Sequence, residues 1–229
     1  MSQLYRSGMR GTSVTAEQAA DVQLKLTDVG RRFGRRVVFQ NLSAKARSGQ
    51  TLVLAGANGS GKSTLMKIVA GLLPPSAGQI DMRLDSLPLD PVARRAHIGF
   101  VAPDLTLYGE LSGAENILFF ARLRGIDLTR EDLISLLERV GLKGRGRDYV
   151  GNYSSGMRQR LKYAFALLHR PPILLLDEPT ANLDVSGMEI VERVVLEQKT
   201  RGLVVVATNE PREVAWADVT LRIDGETTA

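Results

Sequence analysis

A chain of 229 residues, 44% of them apolar, is long enough to bury the core of one α/β domain, and no apolar run approaches the ~18 residues of a membrane-spanning helix. The absence of cysteine excludes disulfides, thiolate metal sites and cysteine nucleophiles, and with only His97 and His169 a histidine-rich metal centre is excluded too. The formal charge of +5 suits an anionic ligand, a membrane-surface partner or a solvated basic surface equally well.

Residues 1–20, rich in Ser, Thr, Gly and Gln without period, read as a mobile tail lacking the apolar stretch of a secretory signal. From Val22 the pattern alternates as in strands: Leu24-Lys25-Leu26, Val37-Val38-Phe39 and Leu42-Ser43-Ala44. Thr51-Leu52-Val53-Leu54-Ala55 predicts a buried strand that runs into a glycine-rich turn and a helix over Lys62 to Leu73, stopped by Pro74-Pro75. Ile98 to Val101 predicts another strand. Residues of about 104–157 read as a helical insertion, with helical patterns over Ala114 to Leu123 and Arg130 to Val140 and no convincing strand. The α/β rhythm then resumes: helix Gly156 to His169, strand Ile173 to Leu176, helix Val185 to Lys199, strand Leu203 to Ala207 and strand Val219 to Ile223. Strands alternating with helices predict an α/β fold with a mainly parallel sheet covered on both faces.

Gly56-Ala57-Asn58-Gly59-Ser60-Gly61-Lys62-Ser63 fits G-x-x-x-x-G-K-[ST] at every fixed position, between an apolar strand and an amphipathic helix. The glycines let successive N–H groups turn inward on phosphate oxygens, and the helix adds the positive end of its dipole. Lys62 brings a charge to the β- and γ-phosphates, and the Ser63 hydroxyl is a ligand for Mg²⁺. Ile173-Leu174-Leu175-Leu176-Asp177-Glu178 is a second motif: four aliphatics suit a strand buried on both faces, and the acids fall at its carboxyl end, where open α/β sheets bind ligands. Two acids after a strand also cap turns. Beside a phosphate loop, Asp177 is assigned to Mg²⁺ and Glu178 to orienting or deprotonating the attacking water.

These motifs together resemble the ATP-binding cassette (ABC) ATPase family, over about residues 22–225. Asn58-Gly59-Ser60-Gly61-Lys62-Ser63-Thr64-Leu65 matches the family's phosphate loop, and Phe33 stands where an aromatic stacks on adenine. Tyr153-Ser154-Ser155-Gly156-Met157 stands at the signature sequence, usually Leu-Ser-Gly-Gly-Gln. Asp184, in Pro179-Thr180-Ala181-Asn182-Leu183-Asp184, stands at a subunit-contact position. The resemblance implies a P-loop NTPase domain over residues 21–229, with a mainly parallel core sheet, an antiparallel β subdomain near the N-terminus and an inserted α-helical subdomain. It also implies ATP and Mg²⁺ as ligands, and a head-to-tail homodimer in which Ser154, Ser155, Gly156 and Met157 close over the ATP held by the other subunit. From the residues alone, Ser154 and Ser155 also fit a plain helix N-cap.

The chain departs from the family at four places. Ser155 replaces the usual glycine and Met157 the usual glutamine. The glutamine expected after strand Ile98 to Val101 is missing, and Asp104, beside Pro103, is its proposed substitute at the metal. Asn209 stands at the switch histidine; it can hydrogen-bond the γ-phosphate or the water but carries no proton, so hydrolysis is expected to be slow. Arg31, Arg32, Arg35 and Arg36 read as a solvated basic turn round Phe33, and His169 as a complement to the negative pole of the signature helix.

Three partner classes follow from the resemblance. A peripheral subunit on the cytoplasmic face of the membrane would dock on a separate integral permease. Leu107-Tyr108-Gly109-Glu110-Leu111-Ser112 with Glu115-Asn116 looks most like haem-exporter and ABC-2-type subunits. A cytosolic assembly ATPase of the iron–sulfur type has the same cassette without a permease. A nucleic-acid machine is not expected, because the chain has neither a long coiled coil nor a second cassette.

Overall fold

The computed structural model describes residues 19–224, so all but the last two residues of the tail expected over 1–20 lie outside the described residues. In chain order the elements are β1 (Val22–Phe33), β2 (Arg36–Arg47), β3 (Thr51–Ala55), α1 (Lys62–Val69), β4 (Ala77–Leu84), β5 (Leu87–Pro88), α2 (Pro91–His97) and β6 (Ile98–Val101). There follow α3 (Gly113–Leu123), α4 (Arg130–Arg139), α5 (Ser155–Leu167), β7 (Ile173–Asp177), α6 (Val185–Lys199), β8 (Leu203–Thr208), α7 (Pro211–Val214) and β9 (Val219–Arg222). They build two sheets: an antiparallel one in the order β2-β1-β4-β5 and a parallel one in the order β6-β7-β8-β3-β9.

The inner strands β3, β7 and β8 are almost wholly aliphatic because both their faces are covered. Successive side chains point to opposite faces, so one strand feeds two cores. Leu52, Leu54, Leu175 and Val205 pack with Leu65, Met66 and Ile68 of α1 and with the antiparallel sheet. Val53, Leu174, Leu176, Val204 and Val206 pack on the other side with residues of α3, α4, α5 and α6. Each such side chain contributes about 1.5–3 kcal/mol when fully buried. Strand β8 lies between β3 and β7, with Thr208 opposite Ala55 on one side and Ala207 opposite Asp177 on the other. The phosphate loop and the paired acids therefore emerge at the same sheet edge.

Between Val101 and Ile173 no strand occurs among the described residues, only an isolated bridge between Ser112 and Tyr149. Reciprocal capping boxes start the first two helices there, Ser112 with Glu115 on α3 and Thr129 with Asp132 on α4. Buried Asn116 pins the entering loop: its amide oxygen accepts from Tyr108 N–H at 2.9 Å and its amide nitrogen donates to the Tyr108 and Ser112 carbonyls at 2.9 and 3.0 Å. Among the described residues no helix is long and apolar enough to cross a membrane.

The structure corrects three local expectations. The helix after the phosphate loop ends at Val69, not Leu73, because Gly71 turns the chain left-handed (φ 71°) before the prolines are reached. The fragments around Leu24 and Val37 belong to two twelve-residue strands, bent where Asp28 and Asn41 take positive φ and the register slips. Finally, His169 is not a charged complement to the end of α5: burial, then Arg124, pushes its pKa down to about 4, so it is neutral at pH 7.

Candidate functional site

The loop from Gly56 to Gly61 joins β3 to α1 in a backbone path that only small residues permit. Gly61 is the N-cap of α1 at φ 102°, and a Cβ there would lie 2.6 Å from Val38 and 2.8 Å from Phe39. Inside the loop, the Lys62 ammonium donates to the carbonyls of Gly56 and Ala57 at 2.9 and 3.0 Å. Its charge is thus held within the loop, at the N-terminal end of a helix with no acidic residue in its first turn. Ser60 Oγ is buried there without a partner. This arrangement favours an anion.

Asp177 ends β7 beside this loop. Only 2% of it is exposed, and the Ser63 hydroxyl lies beside its carboxylate. Burial raises its pKa above the usual carboxylate value; the nearby Ser63 hydroxyl opposes this, while the charge of Glu178 adds to it. Asp177 Oδ1 is buried with no partner. Ser63 and Asp177 thus form a hard-oxygen pair fitted to Mg²⁺. Among the described residues no three His, Cys, Asp or Glu side chains converge to cage a metal, so the remaining ligands would come from phosphate and water.

Glu178 is half-buried and adopts a left-handed backbone (φ 50°), with its N–H donating to Ala207 O at 2.9 Å. Its side chain lines a cleft of about 350 Å³ together with Phe33, Arg36, Val38, Asn58, Gly59, Gly61, Lys62, Ser63 and Thr64. One cleft therefore joins a flat aromatic, the phosphate loop and a carboxylate. Phe33 is half exposed, with the Arg31 guanidinium 4.4 Å from its ring centre, and Arg31 also donates to Pro74 O at 2.9 Å. Of the basic turn, Arg31 is engaged on the ring and Arg36 faces the cleft. Reading the four arginines as one solvated cluster missed both, and the alternation placing Arg36 two residues before Val38 was the available signal.

Other expected residues lie outside this cleft. Asn209 lines a neighbouring one with Ala55, Gly56, Pro211, Val214, Thr220 and Arg222. Asp104 forms an ion pair with Lys67 of α1 at 2.9 Å, which holds its pKa below the usual range. Ser154 caps α5, accepting from Met157 N–H at 3.1 Å. Ser155 lines a separate groove with Leu105, Thr106, Arg158, Gln159, Lys162 and Asn182. Asp184 caps α6 by accepting from Gly187 N–H at 2.8 Å, the main reason its pKa is lowered.

Residues 39–181 match the family described as ABC transporter. The linearmycin resistance ATP-binding protein LnrL of Bacillus subtilis (strain 168) is 28% identical over 192 residues, 83% of this chain. The chain spans 62% of LnrL, less than two thirds of its length. The cytochrome c biogenesis ATP-binding export protein CcmA of Rhodopseudomonas palustris (strain HaA2) is 40% identical over 179 residues, 78% of this chain and 87% of its own length. Among solved structures, the dimeric post-hydrolysis state of the ATP-binding cassette MJ0796, bound to ADP and Pi, has a TM-score of 0.75 at 24% identity. That likeness covers 89% of this chain and 96% of the other, and it concerns the fold.

Proposed function

The chain belongs to the ABC transporter family as an ATP-binding subunit, and on that premise we propose that it hydrolyses ATP in a closed dimer to drive a separate membrane permease. Its fold is the P-loop NTPase fold of the family's ATPase domains. The observation that carries the proposal is the single cleft shared by Phe33, the phosphate loop and Glu178. Adenine stacks on Phe33, the loop amides and Lys62 hold the phosphates, and Ser63 and Asp177 hold Mg²⁺. Mg²⁺ held by Ser63 and Asp177 would supply charge neutralisation at the phosphates. Glu178 orients the attacking water and accepts its proton. Asp104 assists at the metal once released from Lys67, and Asn209 reaches the γ-phosphate from its neighbouring cleft.

Dimer formation is supported by the division of anion-binding helix ends between two grooves. The N-terminus of α5 opens, through Ser155, on a groove distinct from the nucleotide cleft, and Ser154, Gly156 and Met157 would complete the cradle there. A nucleotide in one chain therefore meets this second cradle from another copy, with Asp184 at the contact. Residues of about 104–157 form the subdomain that faces the permease, at the cytoplasmic surface of the membrane. The export function in CcmA's name supports this reading over a cytosolic assembly role.

The test is Glu178→Gln, which keeps shape and removes the base. Loss of a positioned base costs about 10²–10⁴-fold in rate, so kcat should fall by that factor while ATP binding persists and the ATP-bound chain elutes as a dimer. Hydrolysis at the parent rate would defeat the assignment.

A further inference from the structure

The peptide bond between Pro179 and Thr180, one residue beyond Glu178, is gripped at both ends by buried side chains. The Tyr163 hydroxyl donates to its carbonyl, Pro179 O, at 2.8 Å. Its N–H, on Thr180, donates to Glu213 Oε1 at 3.0 Å, and the Thr180 hydroxyl donates to the same oxygen. Tyr163 of α5 and Glu213 of α7 are each 1% exposed, and neither lines the nucleotide cleft. Glu213 Oε2 has no partner at all. A carboxylate kept in the interior with half its acceptor capacity unused is costly, and a packed apolar side chain would fill the place at less cost. What Glu213 does there is fix the plane of one peptide.

That plane matters because of its neighbour. Glu178 holds φ 50°, a left-handed conformation that only glycine adopts freely, and it precedes a proline, which narrows its options further. Such a backbone persists only where its surroundings over-determine it. On the N-terminal side, Glu178 N–H is tied to Ala207 O at 2.9 Å. On the C-terminal side, the proline ring fixes its own φ, and the clamp on the next peptide leaves the segment no free rotation.

We propose that Tyr163 and Glu213 are positioning residues for Glu178, acting by clamping the Pro179–Thr180 peptide between α5 and α7. The inference rests on hydrolysis being assigned to Glu178. Because α5 begins at the signature serines and α7 begins two residues after Asn209, the clamp also registers the carboxylate against both segments.

The experiment compares steady-state ATP hydrolysis, Mg·ATP affinity and thermal midpoint for the parent, Tyr163→Phe, Glu213→Ala, Glu213→Gln and Glu178→Gln. Tyr163→Phe removes one hydroxyl and keeps the ring, so its fold survives; Glu213→Gln keeps the Oε1 acceptor. The expected result is a kcat lowered at least roughly tenfold in Tyr163→Phe and Glu213→Ala, with KM and ATP affinity within about twofold of the parent. Glu213→Gln should recover most of the loss. Parent-like kcat in Tyr163→Phe overturns the clamp, as does a parallel loss of affinity and kcat in step with a lowered midpoint. If Glu178→Gln itself hydrolyses like the parent, the assignment of Glu178 falls first and the clamp with it. If only Glu178→Gln is impaired, the clamp alone is wrong.

Discussion

The hydroxyl of Ser63, in the first turn of α1, lies close enough to the carboxylate of Asp177 at the tip of β7 to lower that group's pKa. Oδ1 of that carboxylate is buried and unpartnered, and burial, the stronger influence, raises the pKa. A carboxyl raised in the folded chain contributes stability below the ordinary carboxylate value and loses it as pH rises through the folded value. At neutral pH the charge is therefore a burden on the nucleotide-free chain. Asp177→Asn should raise the thermal midpoint without ligand by roughly 2–4 °C, the effect of about 1 kcal/mol at this length. The same variant should lose the further stabilisation by Mg·ATP that the parent gains. A lower midpoint without ligand would show that the charged form is well solvated in the fold.

Gly61→Ala and Gly125→Ala make a controlled pair. Both positions have positive φ, 102° and 68°, but a Cβ at Gly61 meets Val38 and Phe39, whereas nothing lies within 4 Å of one at Gly125. Left-handed backbone costs a non-glycine residue about 1–3 kcal/mol. Both variants should lose that much in denaturant titration, and Gly61→Ala more because β2 must shift. Only Gly61→Ala should lose ATP binding, measured with a fluorescent nucleotide. Equal affinity in the two would mean that the loop tolerates movement.

The motifs that carry the site were legible because their residue types are dictated locally. Four aliphatics before Asp177 read as a strand buried on both faces, and Gly56 to Ser63 as a turn into a helix; both hold in the structure. β4 was illegible because only Met82 of its eight residues is buried, so its sequence shows almost no alternation. The positive φ of Asp28 and Asn41 broke β1 and β2 into short patterns for a related reason, since each slip of register resets the period. The grip on the Pro179–Thr180 peptide was hidden by distance: Tyr163 and Glu213 stand 16 and 33 residues from the groups they bind. Glu213 also sits in the charged run Glu210-Pro211-Arg212-Glu213, which resembles a solvated turn.

His169 gives the chain a dependence on mild acid. Burial holds its imidazole neutral down to about pH 4, Arg124 and His97 press the same way, and the backbone of Ile98 opposes them. The unfolded chain takes up that proton near the ordinary value of about 6.5. The contribution to stability is complete above that value and is lost as pH falls towards 4. The denaturation midpoint should drop between pH 7 and pH 5, and His169→Gln should remove that part of the drop. An unchanged pH profile in the variant would place the effect on other groups.

The walls of the nucleotide cleft belong to different sheets. Phe33, Arg36 and Val38 come from the hairpin of β1 and β2, while Lys62, Ser63, Thr64 and Glu178 follow strands of the parallel sheet. A molecule seated between them works as a rivet through two plates: it adds to cohesion without adding to either interior.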